Sequence, residues 1–116
     1  GGALRAKLRE QYAYYEEAVA NYDATLNRAF ADVAQQLTAI QSVDAQLLTQ
    51  IEALHAAKRA YHLAKHQYRI GLISQLVMLN TETRYLDEQQ TRLQLIMNRR
   101  NLQIALIKSL GGGFNK

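Results

Sequence analysis

The residues with the greatest chemical potential in this sequence are three histidines. His62 and His66 stand one helical turn apart, a spacing at which two imidazoles can share a transition-metal ion; His55 is the third. No zinc-protease motif accompanies them, because Leu63 stands where that motif has its glutamate. They read as exposed polar residues, and no metal site is expected. Glu16-Glu17 and Asp87-Glu88 are acidic pairs, but neighbouring positions on a helix do not face each other, so they read as solvated surface. Arg99 and Arg100, with Lys108, read as surface charge rather than a phosphate site. Gly111, Gly112 and Gly113 lack the Lys-Ser/Thr of a phosphate-binding loop and follow a helical pattern instead of preceding one, so they read as a helix stop. Of the seven tyrosines, Tyr12, Tyr15, Tyr22, Tyr61 and Tyr68 fall on apolar heptad tracks and read as core. Tyr14 and Tyr85 lie off those tracks and read as exposed or as contacts between protomers. There is no cysteine, hence no disulfide and no thiolate chemistry. No catalytic constellation and no cofactor site is expected.

The elements carrying these residues follow from punctuation. The chain has 116 residues, no proline, and glycine only at positions 1, 2, 71 and 111–113. The long stretch from residue 3 to residue 70 therefore contains neither of the two main helix breakers, and good helix formers fill it. Every seventh residue from Tyr12 is apolar or aromatic: Tyr12, Val19, Leu26, Val33, Ile40, Leu47, then Leu54, Tyr61 and Tyr68. A companion track runs from Leu8 through Tyr15, Tyr22, Ala29 and Gln36, then Val43, Gln50, Ala57 and Ala64. These are the two positions of a coiled-coil seam. The second track turns small or polar after Tyr22, which predicts close helix packing in the lower half. Phe30, Leu37 and Ile51 widen the stripe on one flank, and Ala18, Ala39, Ala53 and Ala60 on the other, as for a helix with more than one neighbour.

At Gly71 the helix is expected to end in a left-handed turn, with Ser74 capping a second helix. The fold class is accordingly all-α: a long antiparallel coiled-coil hairpin with arms at about 3–69 and 75–110 and no second domain within residues 1–116. The second arm's seam is expected along Leu72, Leu79, Leu86 and Leu93, with Leu76, Thr83, Gln90, Met97 and Ile104 beside it. The shorter arm should cover Gln35 to Tyr68, leaving Leu4 to Ala34 as an apolar overhang. An apolar patch of that size predicts self-association, a larger parent protein, or both. Apolar residues make up 48% and charged residues 21%, which argues against disorder. The net charge of +4 is dispersed without a basic cluster, so no nucleic-acid partner is expected. No apolar run approaches the roughly 20 residues of a membrane-spanning helix, and no signal peptide is visible.

The segment Tyr68-Arg69-Ile70-Gly71-Leu72-Ile73-Ser74-Gln75-Leu76-Val77-Met78-Leu79-Asn80 resembles the periplasmic turn of TolC-like outer-membrane efflux channels. The tail from Ile104 to Leu110, Gly111-Gly112-Gly113 and Phe114 resembles the close of the same family. The opening from Gly1 to Ala6 resembles the passage from a transmembrane β-hairpin into a long helix. The resemblance implies the helical part of the second repeat of a trimeric channel, a segment of a periplasmic α-barrel below a β-barrel in the outer membrane of a Gram-negative bacterium. It implies no enzyme activity. It implies a tip that docks onto a periplasmic adaptor (membrane fusion) protein and, through it, an inner-membrane pump for drugs or other small molecules. Docking would fall to Arg69, Ile70, Gly71, Leu72, Ile73 and Ser74, with Ile70, Leu72 and Ile73 as apolar ridge and Arg69 at the rim. Tyr68 matches an aromatic that helps to hold the closed tip, and Leu76 a pore-narrowing position. Asn80 stands where the family commonly has a pore-facing aspartate and Val77 where some members have a second acid, so a neutral, partly apolar constriction is expected instead of a carboxylate ring. Gating would move the turn and second helix outward. The alternative is a coiled-coil interaction module, an adaptor or scaffold, with no transport role.

Overall fold

The chain, described by a computed structural model at residues 1–114 with side chains to Gly111, is a rod of two helices, 104 × 18 × 18 Å. α1 spans Gly2–Arg69 and α2 spans Gln75–Phe114, joined by a tight turn and packed antiparallel. The antiparallel helical hairpin expected from the heptads is thus the fold. Helical hydroxyls that have no partner across the rod fold back on their own helix: Thr38 Oγ1 donates to the Ala34 carbonyl and Thr83 Oγ1 to that of Leu79. No helix among the described residues is long and apolar enough to cross a membrane.

The buried positions are Val43, Gln50, Ala57 and Ala64, four successive members of the small or polar track. Ile40, Leu47, Leu54 and Tyr61 of the large track flank them, half-buried. Small side chains here allow α2 to approach closely, as the sequence predicts. Three polar bridges pin the register. Gln36 Nε2 donates to Ser109 Oγ at 3.0 Å. Gln50 Nε2 donates to the Glu88 carbonyl at 2.7 Å and to its carboxylate at 3.3 Å. Arg99 donates to both carboxylate oxygens of Asp44.

Four expectations need correction. First, α2 does not stop at Leu110 but runs on through the glycines to Phe114. A helical glycine costs about 1 kcal/mol against alanine, a penalty that weakens a helix end without forcing it to stop. Gly71 is the one glycine found with positive φ among the described residues. Second, the longer α2 shortens the overhang: Leu26, Ala29 and Val33 are already half-buried, and full exposure ends at Thr25 rather than Ala34.

Third, the face α2 turns to α1 is not its leucine ladder. The half-buried positions are Met78, Tyr85, Arg92, Arg99 and Leu106 on one heptad track and Thr81, Glu88, Leu95, Leu102 and Ser109 on the other, with Glu82 and Ala105 beside them. Leu72, Leu79, Leu86 and Leu93 stay 43–69% exposed, as do Leu76, Met97 and Ile104. At ~100° per residue the ladder lies about 150° round α2 from the seam. Periodicity identified an apolar stripe, but α2 carries two stripes, and the more apolar one faces away from α1. Fourth, Tyr12, Tyr15 and Tyr22 are not core but 66–67% exposed, and Tyr68 is 39% exposed, because α2 does not reach the first three and only begins beside the last. Tyr85 instead turns inward, its ring 5.8 Å from that of Tyr61.

Candidate functional site

The turn is built by a Schellman motif. Leu72 N–H donates to the Gln67 carbonyl at 2.8 Å and Gly71 N–H to that of Tyr68 at 3.0 Å, so the last carbonyls of α1 are satisfied. The pattern requires a left-handed residue after the cap, and Gly71 supplies it with φ +80°. A Cβ there would meet nothing within 4 Å, so backbone conformation alone demands glycine. Ser74 then starts α2: its Oγ accepts the Val77 N–H at 3.3 Å. His66 and Arg69 sit in the last turn of α1, where the helix dipole favours positive charge.

This local chemistry presents an apolar tip. Ile70 and Leu72 are 57% and 69% exposed, with Arg69 and Ser74 exposed beside them and Ile73 half-buried under the turn. Leu76, Val77 and Asn80 occupy the first turns of α2, all exposed. Their spacing of three and four residues places them on one face of the helix. Tyr68 closes α1 on the side toward α2. The structure therefore brings Arg69 to Ser74 together at one end of the rod and gathers Leu76, Val77 and Asn80 on the adjoining face.

Above the tip, the hairpin's two sides differ. On one side Ala53, Ala56, Ala57 and Ala60 of α1, with Arg84 and Glu88 of α2, line an open groove. On the other flank of α1 stand Lys58, Arg59, Lys65 and Arg69, with Lys65 Nζ 6.0 Å above the Tyr61 ring. His55, His62 and His66 share this flank and are exposed. No group of three or more metal-ligating side chains is assembled among the described residues.

Two roles escaped the sequence reading. Glu88 is half-buried against Gln50 rather than solvated, and Arg99 is bound to Asp44 rather than free on the surface. That hydrogen bond and the Asp44 charge raise the already high Arg99 pKa. Both became visible only with the true α2 seam. The signal available was the heptad through Tyr85, Arg92 and Arg99, which polar residues disguise.

A family model described as outer membrane efflux protein matches residues 1–112. The chain is 34% identical to the pyoverdine export outer membrane protein OpmQ of Pseudomonas aeruginosa, covering 97% of this chain and 24% of the relative. It is 31% identical to the probable efflux pump outer membrane protein TtgC of Pseudomonas putida, covering 97% and 23%. To the probable outer membrane lipoprotein SilC of Salmonella typhimurium it is 30% identical, covering 97% and 24%. The chain spans about a quarter of the length of these relatives. No solved structure gave a match.

Proposed function

Because the chain belongs to the outer membrane efflux protein family, we propose that it is a periplasmic tunnel segment of a trimeric efflux channel in the outer membrane of a Gram-negative bacterium. Residues 1–116 would be one helical hairpin of the parent's α-barrel. The observation that carries this reading is the leucine ladder of α2, which points away from α1 and stays 43–69% exposed among the described residues. Two seams about 150° apart on one helix suit a wide ring of helices, each touching two neighbours; a compact four-helix bundle would bring them to roughly a right angle. The tunnel acts passively and needs no catalytic residue. Its specificity lies in what docks on the tip and what passes the mouth.

In this reading Arg69 to Ser74 contact a periplasmic adaptor protein, and the adaptor links the channel to an inner-membrane pump. Tyr68, Leu76, Val77 and Asn80 form the constriction. Ring-wise copies of Leu76 and Asn80 make a neutral, partly apolar mouth that holds no cation. An adaptor that binds the open arrangement more tightly shifts the population toward it, by no more than its differential affinity. Small-molecule export is the activity; the cargo follows from the parent protein as a whole.

The test uses the full-length parent in a host lacking its own outer-membrane efflux component. Leu86→Asp with Leu93→Asp should abolish trimer formation and export, while Gln94→Asp, on a polar flank, should leave both intact. Cysteines placed at Leu72 should crosslink to a co-expressed adaptor. Export and trimer formation unaffected by the ladder substitutions would sink the tunnel reading and favour an interaction module.

A further inference from the structure

The charged residues are dispersed along the chain, but the balance of +4 comes from residues 53–81, the quarter of the sequence around the tip. Between Glu52 and Glu82 there is no acidic residue, while Lys58, Arg59, Lys65 and Arg69 contribute four positive charges. The chain carries 14 basic and 10 acidic residues, which leaves ten of each elsewhere, in balance. Within α1 the four cations fall inside an arc of about 120°, on the flank opposite the alanine groove. Lys58, Arg59 and Arg69 are exposed and Lys65 half-exposed. The ion pair found among the described residues is Arg99–Asp44, far up the rod, so none of the four is neutralised by a described residue.

We propose that this cationic flank is a docking surface for an acidic α-helical segment of a partner protein, laid along α1 just above the tip. The inference rests on the channel reading and adds the partner's chemistry to it. Asn80 belongs to the flank of α2 that shares the side of Arg84, and Arg84 lines the groove with Ala53, Ala56 and Ala60. If that side lines the tunnel, the cations face outward, where a partner can reach them.

The shape of the array selects a helix over a small anion. The cations run about 17 Å along a convex surface, which encloses no small ligand. Lys58, Lys65 and Arg69, seven and four residues apart, fall at one- and two-turn spacings, which carboxylates at the same spacings on a second helix lying alongside can match. Like charges kept adjacent without counter-charge cost stability in the isolated chain, and a partner that neutralises them recovers that cost.

The probe is a designed, fluorescently labelled helical peptide with glutamates three or four residues apart along one face, titrated against the 116-residue chain by anisotropy. It should bind at low salt and weaken as salt rises. Lys58→Glu, Lys65→Glu and Arg69→Glu together should weaken it by about tenfold. Arg5→Glu, Lys7→Glu and Arg9→Glu together make the same change in net charge on the overhang and should leave binding unchanged. A peptide with glutamine for glutamate should not bind. Equal loss from both triple variants would show net attraction without a site and overturn the proposal. So would binding of a DNA duplex or of phosphatidylglycerol vesicles as tight as that of the peptide. Export by the full-length protein is read separately, so a failed docking surface and a failed channel assignment give different results.

Discussion

The upper and lower parts of α1 carry the same heptads and meet opposite fates. From Leu8 to Tyr22 the second track is large and apolar, yet Leu8, Tyr15 and Tyr22 are 57–67% exposed. From Val43 to Ala64 the same track is small or polar, yet it is the most buried part of the molecule, with Gln50 at 6%. Burial here follows where α2 lies, not how apolar the side chain is. The difference also says something about the missing neighbour. Alanines suit a helix whose axis comes close, whereas a row of tyrosines fills the space to a more distant or differently placed surface. A surface that covered the overhang would thus differ in kind from α2.

The largest effect should come from breaking the hairpin itself. Gly71→Val forces a β-branched residue to φ near +80°, at a cost of about 2 kcal/mol or more, with no compensating contact. Amide hydrogen exchange should then show residues 26–69 losing their protection toward the level of residues 2–25. Exchange in the two parts that stays as different as in the parent chain would show that α2 is held without the turn.

The next effect sharpens the contrast between the tracks. Ala57→Leu puts extra carbons into the closest part of the seam and should destabilise by about 1–3 kcal/mol in thermal denaturation. Tyr15→Leu, on the same track but exposed, should change monomer stability by less than about 0.5 kcal/mol. Equal effects would mean that the two parts of α1 are equally packed.

The exposed tyrosines should be felt in association instead. The 116-residue chain should self-associate with rising concentration in sedimentation, and Tyr15→Lys with Tyr22→Lys should weaken that association by about tenfold or more through lost apolar burial and added repulsion. A chain that stays monomeric at high concentration would show that the overhang tolerates water.

The single reversal at Gly71, the Ser74 cap and the seam of α1 were legible in the sequence because each rests on a local rule: a left-handed glycine, a hydroxyl cap, a period of seven. The partner of each face was not. Leu79, Leu86 and Leu93 make the better apolar track by composition, and nothing within α2 says that it faces away from α1. The true seam runs through Arg92, Arg99 and Glu88, which become good contacts only because Asp44 and Gln50 stand opposite. The tip residues were legible as a turn; their roles in docking and gating come from resemblance and stay with the proposal. The cationic flank was readable as the acid-free stretch between Glu52 and Glu82, but its one-sidedness needed the seam to be placed first.

The smallest effect tests why the seam is polar at all. Gln50 is buried with its Nε2 bonded to Glu88, and its Oε1 meets no donor among the described residues. An unpaired buried carbonyl oxygen is a cost, and an apolar side chain of similar size removes it along with one hydrogen bond. Gln50→Leu should therefore leave stability unchanged or raise it by up to about 1 kcal/mol in denaturant unfolding, while loosening the register that the Gln50–Glu88 bond fixes. Disulfide trapping between cysteines at Leu47 and Leu95 can read that register: several registers in the leucine variant against one in the parent would show that the polar residue sets alignment at the expense of stability. A large loss of stability would mean the opposite, that the buried amide holds α2 in place and that the paired part of α1 owes its order to polar bonds as much as to close packing.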